Sequence, residues 1–241
     1  MAGLVLIEIF SESVFSHLTN PWDIMVFSMK DHTIAIILIP MYLLIINGEL
    51  RSEWEAMIAL RSGQARTWWL GHVAADAVSA VLVACGVIVL AVVVSVATHN
   101  WTWSWGPYSR ADFGARLLSS VSHKEAWFWC LRAVGLLTLG LWSIGVLMHV
   151  FVLWWRSPWL AWVSGIASGV MGVTFEALPF RFLIWWLPGV QFSLDAHRLP
   201  GAVTPLWSLS YAVALVAVAT AAGLFLADSS PWDALHGGTI G

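Results

Sequence analysis

From Leu70 to Ala97 the chain runs 28 residues with Asp76 as its one charged side chain. A bilayer core about 30 Å thick takes about 20 apolar residues in helical form. A helix meets that demand because it satisfies every backbone N–H and C=O within its own segment. Comparable apolar runs lie at 129–154, 159–178 and 206–226, and shorter ones at 3–19 and 33–47. Charged residues make up 10% of the chain, against roughly 25% in an ordinary soluble domain. The sequence predicts an all-α integral membrane protein, with residues 1–241 forming a single transmembrane domain of six helices.

The tryptophans agree with this reading. They cluster near expected span ends, at Trp101/Trp103/Trp105, Trp127/Trp129, Trp154/Trp155/Trp159 and Trp185/Trp186, as an interfacial belt requires. A net charge of −3 argues against a nucleic-acid partner. Cys85 and Cys130 fall in apolar runs and read as small core residues rather than a disulfide or a metal site. The start of the chain has no basic stretch, and Glu8 and Glu12 interrupt its apolar run, so no cleavable signal is expected.

Gly48 to Gly71 is the most charged run in the chain, holding Glu49, Arg51, Glu53, Glu55, Arg61 and Arg66. Three arginines between two spans that carry no lysine or arginine mark a cytoplasmic segment. Leu50, Trp54, Met57, Ile58 and Arg61 recur at helical spacing, so its first half reads as a short amphipathic helix suited to docking a partner. Ser62-Gly63 ends that helix, and Arg66, Trp68 and Trp69 are expected to anchor the segment at the membrane surface.

The run Arg61-Ser62-Gly63-Gln64-Ala65-Arg66-Thr67-Trp68-Trp69-Leu70-Gly71 resembles a stretch of small bacterial ABC-2-type transporter permeases, in which it follows the second span. Asn20-Pro21-Trp22 and the span after it fit the same pattern, while His72 stands where the pattern often has a lysine. The resemblance covers roughly residues 20 to 75 and is architectural beyond them. It implies a permease subunit of the bacterial plasma membrane, paired with a second copy or a related permease. ATP and Mg would be bound by separate nucleotide-binding ATPase subunits, leaving no cofactor in this chain. Segment 48–69 would couple to them, with Glu53, Trp54, Met57, Ile58 and Arg61 as docking face and Arg66 beside it. The cargo would be hydrophobic or amphipathic, such as a lipid-like molecule, an antibiotic or an antimicrobial peptide.

The rest of the chain adds candidates. Residues 3–19 reach only about 26 Å as a helix, and Glu8 and Glu12 share one face there. That face meets either neighbouring protein and water or a pathway. Ile24 to Met29 reads as an interfacial piece, and Pro40 is expected to kink the second span. Small residues of the third span (Gly71, Ala74, Ala75, Ala77, Ser79, Ala80, Ala84, Gly86) permit close helix approach, as do Gly165, Gly169 and Gly172 in the fifth. Asp76, about one turn from His72, reads as a solvated acid near a helix end, with a charged switch as the alternative. Prolines 179, 188, 200 and 205 break 179–205 into short re-entrant helices, with Glu176 just before them as a third pathway candidate. Charge bias leaves orientation open, since Lys30, Arg110, Arg116, Lys124 and Arg198 fall opposite the 49–69 loop and Arg156.

Two further chemistries find partial signals in the sequence. His72 and His149 would lie at similar depth, as haem ligands do, but His17, His32, His99, His123, His197 and His236 fall at ends or in loops. A membrane hydrolase would need a nucleophile and base within spans, and neither G-x-S-x-G nor H-E-x-x-H occurs. No catalytic or metal-ligating residue is assigned. An accessory membrane subunit without its own pathway stays open beside the permease.

Overall fold

A computed structural model describes residues 20–28, 33–49, 65–97, 126–155, 159, 162–167, 191 and 205–229. Among these, all regular structure is helical. Helix α1 spans Pro21–Ser28; a π-helical turn, Ile34–Leu38, leads into α2, Ile39–Glu49; α3 spans Ala65–Ala97, α4 Ala126–Trp155 and α5 Pro205–Ser229. Three stretches are long and apolar enough to cross a bilayer: Arg66–Ala97, Cys130–Trp155 and Leu206–Ala227. Residues 34–46 form a shorter apolar helix. Helices α3, α4 and α5 cover the stretches expected to span at 70–97, 129–154 and 206–226, and each helix is slightly longer than its apolar run. The 3–19 span, the helix at 50–64 and most of the 159–178 and 179–205 regions lie outside the described residues.

The surface is inverted relative to a water-soluble bundle. Val78, Leu82, Val89, Leu90, Val93 and Val96 of α3, and Leu206, Val213, Val218 and Phe225 of α5, are exposed. His72, Asp76, Ser79, Ser95, Ser143, His149 and Ser208 are buried. Apolar side chains outside and polar ones inside is the arrangement a hydrocarbon solvent selects. Two hydroxyls inside the helices are satisfied locally, Ser95 donating to the Ala91 carbonyl at 2.7 Å and Thr138 to that of Val134 at 2.9 Å.

Helix α4 is the hub, packed against α1, α2, α3 and α5. Along α3 the buried stripe Trp69, Val73, Asp76, Ala80, Val83, Val87 and Ala91 keeps the three-to-four spacing of one helix face. Of its small residues, Ser79, Ala80 and Ala84 line the interior, while Gly71 and Gly86 face outward with nothing within 4 Å of a Cβ. The expectation of a shared small-residue face thus holds for part of the set. Cys130 is a buried core residue as expected, but Cys85 is exposed, and both are free thiols.

The start of the described chain differs from the sequence reading. Asn20 accepts from the Trp22 N–H at 3.0 Å through its side chain, and Pro21 occupies the first helical position, so α1 begins with a proper cap. Ile24 and Met25 are buried in the main core, where α1 packs against α3 and α4. Pro40 follows directly on the π-helical turn. Its missing N–H and its ring are accommodated by widening the preceding turn, with the Ile39 N–H bonding the Ile34 carbonyl five residues back.

Contacts between side chains and facing backbones set the directions. Trp69, near the start of α3, donates to the Thr220 carbonyl near the end of α5. Trp142 and His149, in the second half of α4, reach Val73 and Asp76 near the start of α3. Helix α3 is therefore antiparallel to both α4 and α5, which run parallel to each other. The chain leaves α4 at one end of the bundle and enters α5 at the other. Gly165 packs on Leu43 of α2, and Gln191 accepts from Ser208 at the start of α5 at 3.0 Å, so both lie on that return path.

A buried carboxylate and two imidazoles between α2, α3 and α4

Four residues from three helices converge inside the bundle. His72 and Asp76 are one turn apart on α3 and so share a face. His149 enters from α4, and Tyr42 from α2. The exposures of Asp76, His149 and His72 are 1%, 3% and 8%. Counting along α3, His72 lies about 9 Å and Asp76 about 15 Å from Arg66. Asp76 is thus well inside the spanning segment, and the expectation of a solvated end-of-helix acid is corrected.

His149 Nδ1 lies 2.9 Å from Asp76 Oδ2 and 3.1 Å from the Gly145 carbonyl oxygen. A carbonyl can only accept, so the shared hydrogen sits on Nδ1 and the ring is held in one tautomer. The His72 ring lies beside it, centroids 5.1 Å apart, with the rings tilted by 37°. Trp68, one turn earlier on α3, meets His72 edge-on at 4.5 Å. Tyr42 donates to the Asp76 carbonyl at 3.2 Å, tying α2 to α3 at the same level. Among the described residues, Asp76 Oδ1 and His72 Nε2 are buried without a hydrogen-bond partner.

Gly145 makes this convergence possible. A Cβ there would collide with the Tyr42 hydroxyl and lie 3.1 Å from Asp76 Cγ. The absent side chain lets α4 approach α2 and α3 closely enough for His149, one turn on, to reach the carboxylate. The same logic operates at the start of α3, where Gly223 of α5 leaves the space that the Trp69 indole fills.

The sequence-predicted residues are distributed unevenly around this site. His72 and His149 do lie at similar depth and are brought together. Arg66 is exposed at the start of α3. Trp68 and Trp69 are not surface anchors: both are buried, packed against α4 and α5. Glu53, Trp54, Met57, Ile58 and Arg61 of the docking face, and Glu8, Glu12 and Glu176, lie outside the described residues. Among the described residues, no group of three His, Cys, Asp or Glu side chains is placed to hold a metal ion. Tyr42 and Gly145 were missed by sequence reasoning. The i, i+4 pairs His72/Asp76 and Gly145/His149 were the signal available.

Compared with known proteins, the chain matches no family model, no curated protein and no solved structure.

Proposed function

We propose that this chain is the membrane-spanning permease subunit of an ATP-driven ABC-2-type exporter of the bacterial plasma membrane. It would cross the membrane six times and pair with a second permease. Partner subunits would bind and hydrolyse ATP, and the cargo would be hydrophobic or amphipathic. The sequence support is the 61–71 run and the amphipathic pattern before it.

The observation that carries the reading is mechanical. The charged segment 50–64 joins α2 to α3, and the start of α3 is bonded to every other long helix. Tyr42 links α2 to α3, Trp142 and His149 link α4 to α3, and Trp69 links α5 to α3. A partner that pushes on 48–69 therefore moves four helices together, which is the rigid-body coupling a transporter requires. Bond chemistry is left to the partner, and the chain converts its closure into displacement across the bundle.

The test is co-expression with candidate ATPase subunits, followed by purification in detergent. Association that is lost on Trp54→Ala or Arg61→Glu, in variants that still insert and purify, supports the assignment. An ATPase that binds equally well to both variants counts against the docking face. A chain that purifies alone places the accessory-subunit reading ahead.

A further inference from the structure

We propose that Asp76, His149 and His72 form an intramembrane proton-binding site, loaded at His149 and reached through His72. The site stands apart from the permease assignment, since it needs no partner subunit and rests on side chains within α3 and α4.

The geometry carries it in three steps. First, Nδ1 of His149 is committed as a donor to the Asp76 carboxylate and the Gly145 carbonyl. The basic lone pair of the neutral ring is then on Nε2, and a proton added there makes an imidazolium already paired with a carboxylate. A charge is tolerated at membrane depth only when paired in this way. Second, His72 sits beside His149 on the side towards the start of α3, with Trp68 over its edge. It is one turn nearer the Arg66 end than Asp76, where a proton from water would enter. Third, among the described residues the Nε2 of His72 and the Oδ1 of Asp76 are buried and without hydrogen-bond partners. Both atoms can take a proton or bond the water that carries one.

The step balances without a co-reactant. A hydronium ion gives its proton to His72, an O–H bond breaking as an N–H bond forms. The proton then passes to Nε2 of His149, directly or across one water, and His72 returns to its neutral form. Nothing is oxidised or reduced.

Among the described residues, three helices supply the titratable groups at the site. Helix α3 supplies His72 and Asp76, α4 supplies His149, and α2 supplies the Tyr42 phenol, which is engaged with the Asp76 carbonyl. The acid of α1, Asp23, acts on Cys130 near the opposite end of α4. Tyr211 of α5 lies nine residues before Thr220, the level at which α5 meets Trp69, or about 13 Å along the helix.

The experiment is nitrogen NMR of the full-length protein in lipid nanodiscs, with ¹⁵N-labelled histidine, across roughly pH 5 to 8, where imidazoles titrate. His72→Gln and His149→Gln supply the assignments. The expected result is a His149 ring that keeps hydrogen on Nδ1 throughout and gains a second N–H on Nε2 as pH falls. Asp76→Asn should remove that imidazolium from the range. His72→Gln should leave its population in place but slow its exchange with water at least several-fold. A His149 ring that stays neutral throughout in the unmodified protein overturns the proposal, as does one with bare Nδ1. Should Asp76→Asn fail to fold, the unmodified protein's titration decides the loading step, and Asp76→Glu, which keeps the charge, replaces it.

Discussion

The indole of Trp69 occupies the space left by the missing side chain of Gly223, and its Nε1 donates to the Thr220 carbonyl at 3.0 Å. The α3–α5 contact is thus specified by a large residue meeting the smallest one. Filling that space should be felt. Gly223→Ala is expected to cost about 1–3 kcal/mol, the usual range for overpacking a close-packed contact. Trp69→Phe, which shortens the ring system and removes the donor, should offset part of that loss in the double variant. Gly86→Ala, with nothing within 4 Å, is the control and should leave stability unchanged or slightly raised. Thermal unfolding in one detergent, followed by light scattering, reads all four.

Gly145 makes a parallel prediction at the buried site. Gly145→Ala drives a methyl group into the Tyr42 hydroxyl and against Asp76. It should destabilise by about 1–3 kcal/mol, and separate His149 from its carboxylate. Tyr42→Phe alone loses one hydrogen bond to the Asp76 carbonyl, about 1 kcal/mol. Because it also removes the oxygen that the new methyl meets, the double variant should fall well short of the sum. Additive losses would place Tyr42 and Gly145 further apart than the fold describes.

Much of this architecture was legible from the sequence, and the misses have physical reasons. Apolar run length found α3, α4 and α5, but it marks what lies in hydrocarbon rather than where a helix ends. That is why α3 begins at Ala65, ahead of its apolar run. Trp68 and Trp69 were misplaced because a tryptophan near a span end suits the membrane interface and the interior of a bundle equally well. Only the facing glycine on α5, more than 150 residues on, separates the two. Asp76 was misread for a similar reason. Its distance from the helix start looked short in residues, but each residue rises about 1.5 Å, and its side chain is 1% exposed. Pairing His149 with Asp76 required knowing which face α4 turns towards α3.

Removing one member of the buried pair should be harsher than removing both. Asp76→Leu leaves His149 beside a missing acceptor, and His149→Leu leaves a carboxylate in an apolar interior. Each is expected to cost about 3–5 kcal/mol, as breaking a buried pair does. The Asp76→Leu/His149→Leu double variant replaces both with apolar volume and should recover most of the loss. Yield of monodisperse protein and its unfolding temperature give the comparison. A double variant as damaged as the worse single one would show that neither partner's cost comes from stranding the other.

The outward faces of α3 and α5 should behave as surfaces in contact with lipid. Leu82 and Phe225 are 65% and 72% exposed, whereas Ala80 and Ala219 on the same helices are 0% and 3% exposed. Nitroxides attached at Leu82→Cys and Phe225→Cys, in a background lacking the native thiols, should collide readily with oxygen and poorly with a water-soluble nickel chelate. Leu82→Lys should reduce insertion by an amount set by about 2.5–3.5 kcal/mol for a charge near the centre of a spanning helix. Strong chelate accessibility at position 82 would mean that this face lines water.

Helix directions yield the final prediction. Helix α3 begins, and α4 and α5 finish, at the same end of the bundle, because Trp69 meets Thr220, and Trp142 meets Val73. Three helices with those directions, each crossing the bilayer, put the start of α3 and the end of α5 on one side of the membrane, and the end of α3 and the start of α4 on the other. Single cysteines at Ser62 and Ser229 should react with an impermeant maleimide from one face of sealed vesicles, and one at Ser122 from the opposite face. The two-sidedness follows from antiparallel packing alone, whichever face is cytoplasmic. If Ser62 and Ser229 label from opposite faces, α5 runs the other way and the Trp69–Gly223 contact cannot form. If the shared face is the one reached in inside-out vesicles, the arginines of 51–66 lie in the cytoplasm, where an ATPase partner would have to dock.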